Sequence, residues 1–222
     1  IVRPDDEIAA VTAADVNMDD FPDFFFARAS GGVFAMSDGR ERFTERAAPS
    51  GAHASLAAQF ADYDNDGLLD LITWSDAGAQ LFRNLGNRWS EVTDAILPSQ
   101  YRAARPSSAR ALALADLDRD GRTDVVLADG GSLAVYRNTA VAASRSVRIA
   151  LKGLSSNRLG IGSKVQVRAG SLRSRLETSA ATPPAAPADL VFGLGRRSGA
   201  DAIRIVWPSG ILQAEVESSN SP

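Results

Sequence analysis

The sequence predicts an all-β fold: a partial β-propeller of about three four-stranded blades with calcium loops, plus a small C-terminal β domain. A nine-residue acidic motif begins at residues 15, 62 and 116, and these spacings of 47 and 54 residues lie in the range of propeller blades. Short apolar segments of β-forming residues flank each copy. After residue 140 the motif stops, and segments of alternating polar and apolar residues replace it.

Each copy of the motif places acidic or amide side chains at positions 1, 3, 5 and 9. A Ca²⁺ ion takes about 6–8 oxygen ligands, and a tight loop can direct alternate side chains and the position-7 carbonyl to one point. Without a cation, the clustered like charges would repel one another at close range. The sequence therefore predicts up to three Ca²⁺ ions, one per loop, held by side chains and by the carbonyl groups of Phe21, Leu68 and Arg122. The full sets are Asp15, Asn17, Asp19, Phe21 and Asp23; Asp62, Asp64, Asp66, Leu68 and Asp70; and Asp116, Asp118, Asp120, Arg122 and Asp124.

The residues after each loop exclude an EF-hand. That motif places a bidentate Glu at position 12 and continues into a helix, whereas position 12 here is Phe26, Thr73 or Leu127 and a β-rich segment follows. The first copy departs from the other two, because Asp20 stands where they have Gly. Since Asp adopts the backbone angles of such a turn less readily than Gly, we expect the first site to be the most distorted or the weakest.

The strands of a repeat follow in a fixed order. A strand of small residues precedes the loop, an apolar strand follows it, and a Gly-rich turn leads to a third strand and, in two copies, a fourth. Four antiparallel strands make one propeller blade, and we expect Phe34, Phe82 and Tyr136 to fill the gaps between blades. The predicted strands are 9–14, 23–26, 33–36 and 42–44; 56–61, 70–74, 80–84 and 89–92; and 111–115, 124–127 and 133–138.

The motif and the strand that closes each repeat resemble a known family. The pattern Asp-x-Asp-x-Asp-Gly-x-x-Asp, in 62–70 and 116–124, followed by Phe/Tyr-Arg-Asn, is similar to the FG-GAP/VCBS repeats of integrin-α-like β-propellers. A closed propeller has about 4–8 blades, so three blades leave open faces. We expect further blades or another subunit to cover the face of the first blade, near residues 8–45.

The C-terminal region is predicted to form strands at 146–152, 163–168, 202–207 and 211–216, with a hairpin turn at Trp207-Pro-Ser-Gly210. Three phrases, 156–165, 192–195 and 206–210, resemble in order and spacing the ASPIC/UnbV domain, which follows such blades in bacterial exported proteins and in cartilage acidic protein 1-like proteins. The resemblance implies repeats at 1–140 and an ASPIC/UnbV-like domain at 141–222. It also implies a bacterial origin and an extracellular, periplasmic or envelope location.

Charge and composition restrict the classes of function that the sequence supports. Residues 1–140 carry 13 Lys/Arg against 22 Asp/Glu, and twelve of those carboxylates lie in the three loops, so the acidity reflects the metal sites. The chain has no Cys, and its single histidine, His53, has no accompanying nucleophile signature. The glycine run 193–199 lacks the βαβ context of a nucleotide-binding motif, so its glycines are interpreted as turn residues. We therefore expect no catalytic residue, no enzyme activity and no cofactor besides Ca²⁺.

The predicted function is a non-catalytic, calcium-binding module for binding or assembly at the cell envelope or outside the cell. Expected partners are a protein or glycan ligand, or further blades or subunits on the open faces. Arg102, Arg105 and Arg110 have little aromatic interleaving, so we expect no nucleic-acid contact, and no apolar run is long enough for a membrane span. Two alternatives stay open: an accessory subunit of a larger envelope complex, or the non-catalytic part of a glycan-active hydrolase or lyase.

Overall fold

A computed structural model describes residues 7–52, 54–75, 78–96, 109–129, 132–139, 144–154, 156–178 and 189–216. These residues form β-strands and one short helix, which confirms the all-β class. Within this part of the chain, no helix is long and apolar enough to cross a membrane. His53, Arg102, Arg105 and the side chain of Arg110 fall outside the described residues.

The repeats fold as three antiparallel sheets, and within each sheet the strands pair in chain order. The first two sheets have four strands, and the described residues of the third form three. Blade one contains β1 (Ile8–Ala14), β2 (Asp23–Arg28), β3 (Gly31–Ser37) and β4 (Phe43–Ala47). Blade two contains β5 (Ala57–Ala61), β6 (Asp70–Ser75), β7 (Gly78–Asn84) and β8 (Trp89–Glu91), and the helical turn α1 (Thr93–Ile96) follows. Blade three contains β9 (Ala109–Ala115), β10 (Asp124–Asp129) and β11 (Ser132–Tyr136).

Aromatic side chains fill the space between blades one and two. Phe25, Phe34 and Phe82 are fully or almost fully buried in one apolar cluster. Phe34 stacks on Phe60 and Trp89 of blade two, with ring centroids 6.3 Å and 5.4 Å apart. The prediction that Phe34 and Phe82 lie between blades is confirmed.

The C-terminal strands form two further antiparallel sheets. In one, β12 (Arg145–Ile149) pairs with β15 (Leu190–Gly195). In the other, the strand order is β14 (Leu172–Glu177), β13 (Lys164–Ala169), β16 (Ala202–Val206) and β17 (Leu212–Val216). Their core contains Val165, Val167, Phe192, Leu194 and Ile205. The predicted turn is present, since the Gly210 N–H donates to the Trp207 carbonyl at 2.8 Å.

Two C-terminal strands were not predicted from the sequence, and one is shorter than predicted. Glycines at 193 and 195 weaken the strand signal of β15, and β14 is rich in charged residues. β12 ends at Ile149, before the predicted end at residue 152.

Contacts divide the chain into two compact units. The first contains most of the three blades: Ile1–Ala61, Leu68–Leu114 and Asp124–Arg137. The second contains the C-terminal strands together with segments of the second and third motif loops: Asp62–Gly67, Ala115–Thr123 and Asn138–Pro222. The domain boundary at residue 140 stays a prediction.

Candidate metal centres

The three motif loops join the first two strands of each blade and share one hydrogen-bond arrangement. In every loop the position-1 carboxylate accepts two backbone N–H groups, those of positions 5 and 6. Asp62 accepts from Asp66 at 3.0 Å and from Gly67 at 2.8 Å. The equivalent distances are 3.0 and 2.8 Å at Asp15 and 3.0 and 3.0 Å at Asp116. In each of the three loops, the backbone therefore folds around the position-1 carboxylate in the same way.

Left-handed backbone angles make this winding possible. Position 4 has φ of 61° at Met18, 56° at Asn65 and 63° at Arg119. Position 6 is Gly in the second and third loops, but Asp20 adopts φ 75° in the first. The first loop therefore follows the same path, although a side chain at that angle is strained where Gly is not. Its weaker binding of metal stays a prediction.

The position-9 carboxylates are buried and anchor the strands behind the loop. Asp23 and Asp70 are 0% exposed and Asp124 is 1% exposed. Asp23 accepts the backbone N–H of Ser37 at 2.9 Å, and Asp70 accepts that of Asn84 at 2.8 Å. Both acceptor–donor pairs are 14 residues apart. Asp23 and Asp70 therefore link the start of the second strand to the end of the third, and the second oxygen of Asp23 accepts the Val16 N–H of its own loop at 3.2 Å.

Two groups of carboxylates converge within the described residues. Ligand oxygens of Asp62, Asp64 and Asp70 all lie within 4.8 Å of one another, and the same holds for Asp116, Asp118 and Asp120. Oxygens that bind one Ca²⁺ at about 2.3–2.6 Å can be no more than about 5 Å apart, so both groups fit that ion. Asp66 and Asp124 are outside these groups, and in the first loop the Asn17 amide donates to Asp19 at 2.9 Å. The carbonyl ligands at position 7 stay a prediction.

Burial and mutual repulsion disfavour the charged form of several loop carboxylates. Burial raises the pKa of Asp62 to about 8, and the charges of Asp66 and Asp64 raise it further, against hydrogen bonds that lower it. Burial likewise raises the pKa of Asp23 to about 6 and that of Asp15 above its usual value. A bound cation would offset this cost, because it stabilises the ionised form of the carboxylates that surround it.

The second and third loops differ at position 7. In the third loop, the Arg122 guanidinium contacts the Asp120 carboxylate, and its Nε donates to the Asn138 carbonyl at 2.9 Å. In the second loop position 7 is Leu68, which brings no charge. One predicted ligand of the third site thus already has a cationic neighbour.

Glycines of β15 lie directly against the second loop. The Gly195 N–H donates to the Asn65 carbonyl at 2.8 Å. A Cβ on Gly193 would stand 2.0 Å from Asp62 Oδ2 and 2.5 Å from the Asn65 carbonyl carbon. Of the glycine run 193–199, interpreted from the sequence as turn residues, 193–195 form the end of β15 and the turn follows from residue 196. Only glycine at position 193 lets the strand end approach the loop this closely.

The third loop has a similar contact with the C-terminal strands. The Ser146 hydroxyl donates to the Gly121 carbonyl at 2.6 Å, and the Asn65 side-chain amide donates to the same oxygen at 2.9 Å. The carbonyl at position 6 of the third loop is therefore held from two sides. Nothing in the spacing of the motif indicates these contacts, because the residues are far apart in sequence.

Family comparisons match both parts of the chain. The model of the FG-GAP-like repeat matches residues 15–73 and 62–127, which together span slightly more than half of the chain. The model described as ASPIC and UnbV matches residues 153–219. No curated protein matches the chain.

Proposed function

Because the chain belongs to the family of FG-GAP-like repeat proteins and carries an ASPIC and UnbV domain, we propose that it is a calcium-binding, non-catalytic β-propeller module. Its role is binding or assembly at the cell envelope or outside the cell. The observation that carries the proposal is the common loop geometry, in which one carboxylate organises the backbone and its neighbours converge on one point in the second and third loops.

The role of the metal in this proposal is structural. Side chains at positions 1, 3, 5 and 9 and the position-7 carbonyl hold each ion, and the ion supplies the positive charge that offsets their repulsion. The loop then keeps its path between the first two strands of a blade. Because the position-9 carboxylates Asp23 and Asp70 also hold the third strand, metal binding stabilises the sheet as well as the loop.

The same chemistry supports a non-catalytic role. Carboxylates that bind Ca²⁺ are held ionised, so they make poor proton donors for acid–base chemistry. An exterior location suits the metal, since extracellular calcium modules have Kd values of about 10⁻⁴–10⁻³ M. The partners are a protein or glycan ligand, or further blades or subunits.

Calorimetric titration with Ca²⁺ tests the proposal. We expect two or three bound ions for the wild type and the loss of one in Asp64→Asn, since this change removes a charge from the second group. Glu45→Gln is the matched control, because it removes a charge from the exposed strand β4. If the wild type binds no Ca²⁺ at millimolar concentration, or if both variants lose an ion equally, the proposed sites are wrong.

A further inference from the structure

The four-stranded sheet of the C-terminal region has one face in the core and one face outside it. On β13, Val165, Val167 and Ala169 are buried, and the residues between them are on the other side of the sheet because successive side chains of a strand alternate. We call this side the outer face. It is made of residues 164, 166 and 168 of β13, of the residues that pair with them on β14 and β16, and of the next partners on β17.

Four arginines are concentrated on the outer face. Arg168 stands directly opposite Arg173, and Gln166 has Arg175 on one side and Arg204 on the other. Neighbouring strands are about 4.8 Å apart and alternate residues of a strand about 7 Å apart, so the four arginines originate from an area of about 10 by 7 Å. Arg168, Arg173 and Arg204 are exposed, and Arg175 is half-buried.

Acidic residues do not balance this charge. Among the described residues of the outer face, Glu177 is the one carboxylate, and it stands opposite Lys164 and not opposite an arginine. Asp201 flanks the face, and its carboxylate accepts the Gly170 N–H at 2.6 Å. Residues 141–222 as a whole contain 11 Lys/Arg against 5 Asp/Glu. The outer face therefore carries a net positive charge.

The stability of the sheet does not explain this arrangement. Like charges directly opposite each other on neighbouring strands are destabilising, and Arg168 and Arg173 form such a pair. An anion bound between them would offset the repulsion. The planar guanidinium of arginine suits an oxyanion, because it can donate two parallel hydrogen bonds to one group.

The composition of the outer face separates the classes of anionic partner. Single-stranded nucleic acids stack their bases on aromatic side chains, and the described residues of the outer face include no aromatic one. Binding to a membrane surface buries apolar side chains among the lipids. Here the arginines occupy the centre of the face, and its exposed large apolar residues, Leu212 and Val216, are confined to the edge strand β17.

We propose that the outer face binds an acidic polysaccharide, a glycan chain that carries carboxylate or sulfate groups. The inference rests on the proposed role as a binding module and names the chemistry of its glycan ligand. Arginines on three neighbouring strands of one sheet contact several anionic groups of an extended chain at once. Arg168 and Arg173 together hold one of these groups, and Arg175 and Arg204 hold those that follow.

Calorimetric titration of the full chain with heparin, a polysaccharide that carries both carboxylate and sulfate groups, tests the proposal in a buffer with calcium. Arg168→Gln combined with Arg204→Gln should weaken binding about tenfold, since two charge pairs are lost. The matched control combines Arg46→Gln with Arg88→Gln, which removes the same charge from exposed positions of blades one and two and should leave the affinity unchanged. Dextran, a neutral polysaccharide, should not bind.

A second variant separates binding from folding. Arg168→Glu replaces a repulsive pair with an attractive one opposite Arg173, so it should weaken heparin binding while urea denaturation shows unchanged or higher stability. Lower stability of this variant would overturn the proposal, because the arginine pair would then serve the fold. Absence of heparin binding, equal losses in the two double variants, or binding of dextran as tight as that of heparin would overturn it too.

Two further measurements identify the source of a failure. Vesicles that contain phosphatidylserine should not bind the wild type, and binding of these vesicles without binding of heparin would assign the outer face to a lipid surface and overturn the proposal. Calcium titration of the same samples reports on the proposed function separately. Heparin binding without calcium binding refutes the metal sites and leaves the outer face standing, whereas calcium binding without heparin binding refutes this inference alone.

Discussion

The side-chain amide of Asn84 donates a hydrogen bond to the carbonyl oxygen of Val16, 3.1 Å away, and so ties the third strand of blade two to the loop of blade one. Asn138 makes the equivalent bond to the Tyr63 carbonyl at 2.7 Å. Both acceptors are at position 2 of a motif loop, and each asparagine ends the Phe/Tyr-Arg-Asn phrase of its repeat. The last residue of that phrase therefore hydrogen-bonds one repeat to the loop of the repeat before it. We call this contact the asparagine clasp.

Asn84→Ala should destabilise the protein because it leaves the carbonyl groups of Val16 and Leu69 without their donor. Asn84 is 3% exposed, and an unsatisfied buried polar group costs about 1–3 kcal/mol. Urea denaturation measures the loss. Asn87→Ala, in the exposed turn after β7, is the matched control and should change stability by less than about 0.5 kcal/mol. Equal effects of the two changes would refute the clasp.

The loops could be predicted from the sequence because their geometry is local. A carboxylate at position 1 is within reach of the N–H groups of positions 5 and 6, so the spacing of Asp62, Asp66 and Gly67 contains most of the required information. The strands around the loops follow from short apolar segments and turn residues for the same reason. Asp20 is the exception. Asp adopts a positive φ less readily than Gly, yet the rest of the loop imposes φ 75° on it.

Two contacts could not be predicted in this way: the asparagine clasp and the contact of β15 with the second loop. Asn84 and Val16 are 68 residues apart in sequence, and one asparagine after a strand is compatible with many roles. Gly193 gives no signal of its own either, since glycine is equally suited to a turn. Its role becomes visible only when Asp62 is found where its Cβ would be.

Removal of calcium should lower the melting temperature. A ligand that binds only the folded state stabilises it by about 2.7 kcal/mol at a hundredfold excess over Kd, which for a chain of this length corresponds to roughly 5–10 °C. Asp66→Ala should reproduce part of the loss in calcium, and chelator should then have a smaller further effect on it than on the wild type. A scanning-calorimetry curve that chelator leaves unchanged would contradict the structural role of the metal.

The stabilisation by calcium should increase with pH. In the metal-free protein the pKa of Asp62 is raised to about 8 and that of Asp23 to about 6, from 3.8. The folded state then holds protons that the unfolded chain has released, so metal-free stability falls as pH rises from about 4 to 8. Calcium must displace these protons, and its effect on the melting temperature should be larger at pH 8 than at pH 5.5. An equal effect at both values would contradict the shifted pKa values, and Asp62→Asn should weaken the pH dependence.

The third site should bind calcium more weakly than the second because of Arg122. Its guanidinium contacts the Asp120 carboxylate, and it therefore competes with the ion for a ligand. Arg122→Leu should raise the affinity of the third site, and the reciprocal change Leu68→Arg should lower that of the second by a similar factor. Titration of each variant in an Asp15→Asn background, which removes the first site, resolves the two remaining ions. If neither exchange shifts an affinity, the arginine does not compete.

Gly193→Ala should lower both the stability of the protein and the calcium affinity of the second loop. The new methyl group would stand 2.0 Å from Asp62 Oδ2, so either β15 or the position-1 carboxylate must move. Overpacking of this kind costs about 1–3 kcal/mol, and a displaced Asp62 releases the backbone N–H groups of Asp66 and Gly67 that it accepts. Calorimetric titration and urea denaturation measure the two effects on the same sample.

The control for this change is Gly86→Ala, where a Cβ would meet no atom within 4 Å but the backbone has φ 82°. That variant loses stability through backbone strain alone and should keep its calcium affinity. Gly193→Ala differs because its clash is with a metal ligand, so its stability loss should shrink when Asp62→Ala is added and removes the clashing oxygen. A stability loss at Gly193 that is independent of both calcium and Asp62 would show that β15 and the second loop are not coupled.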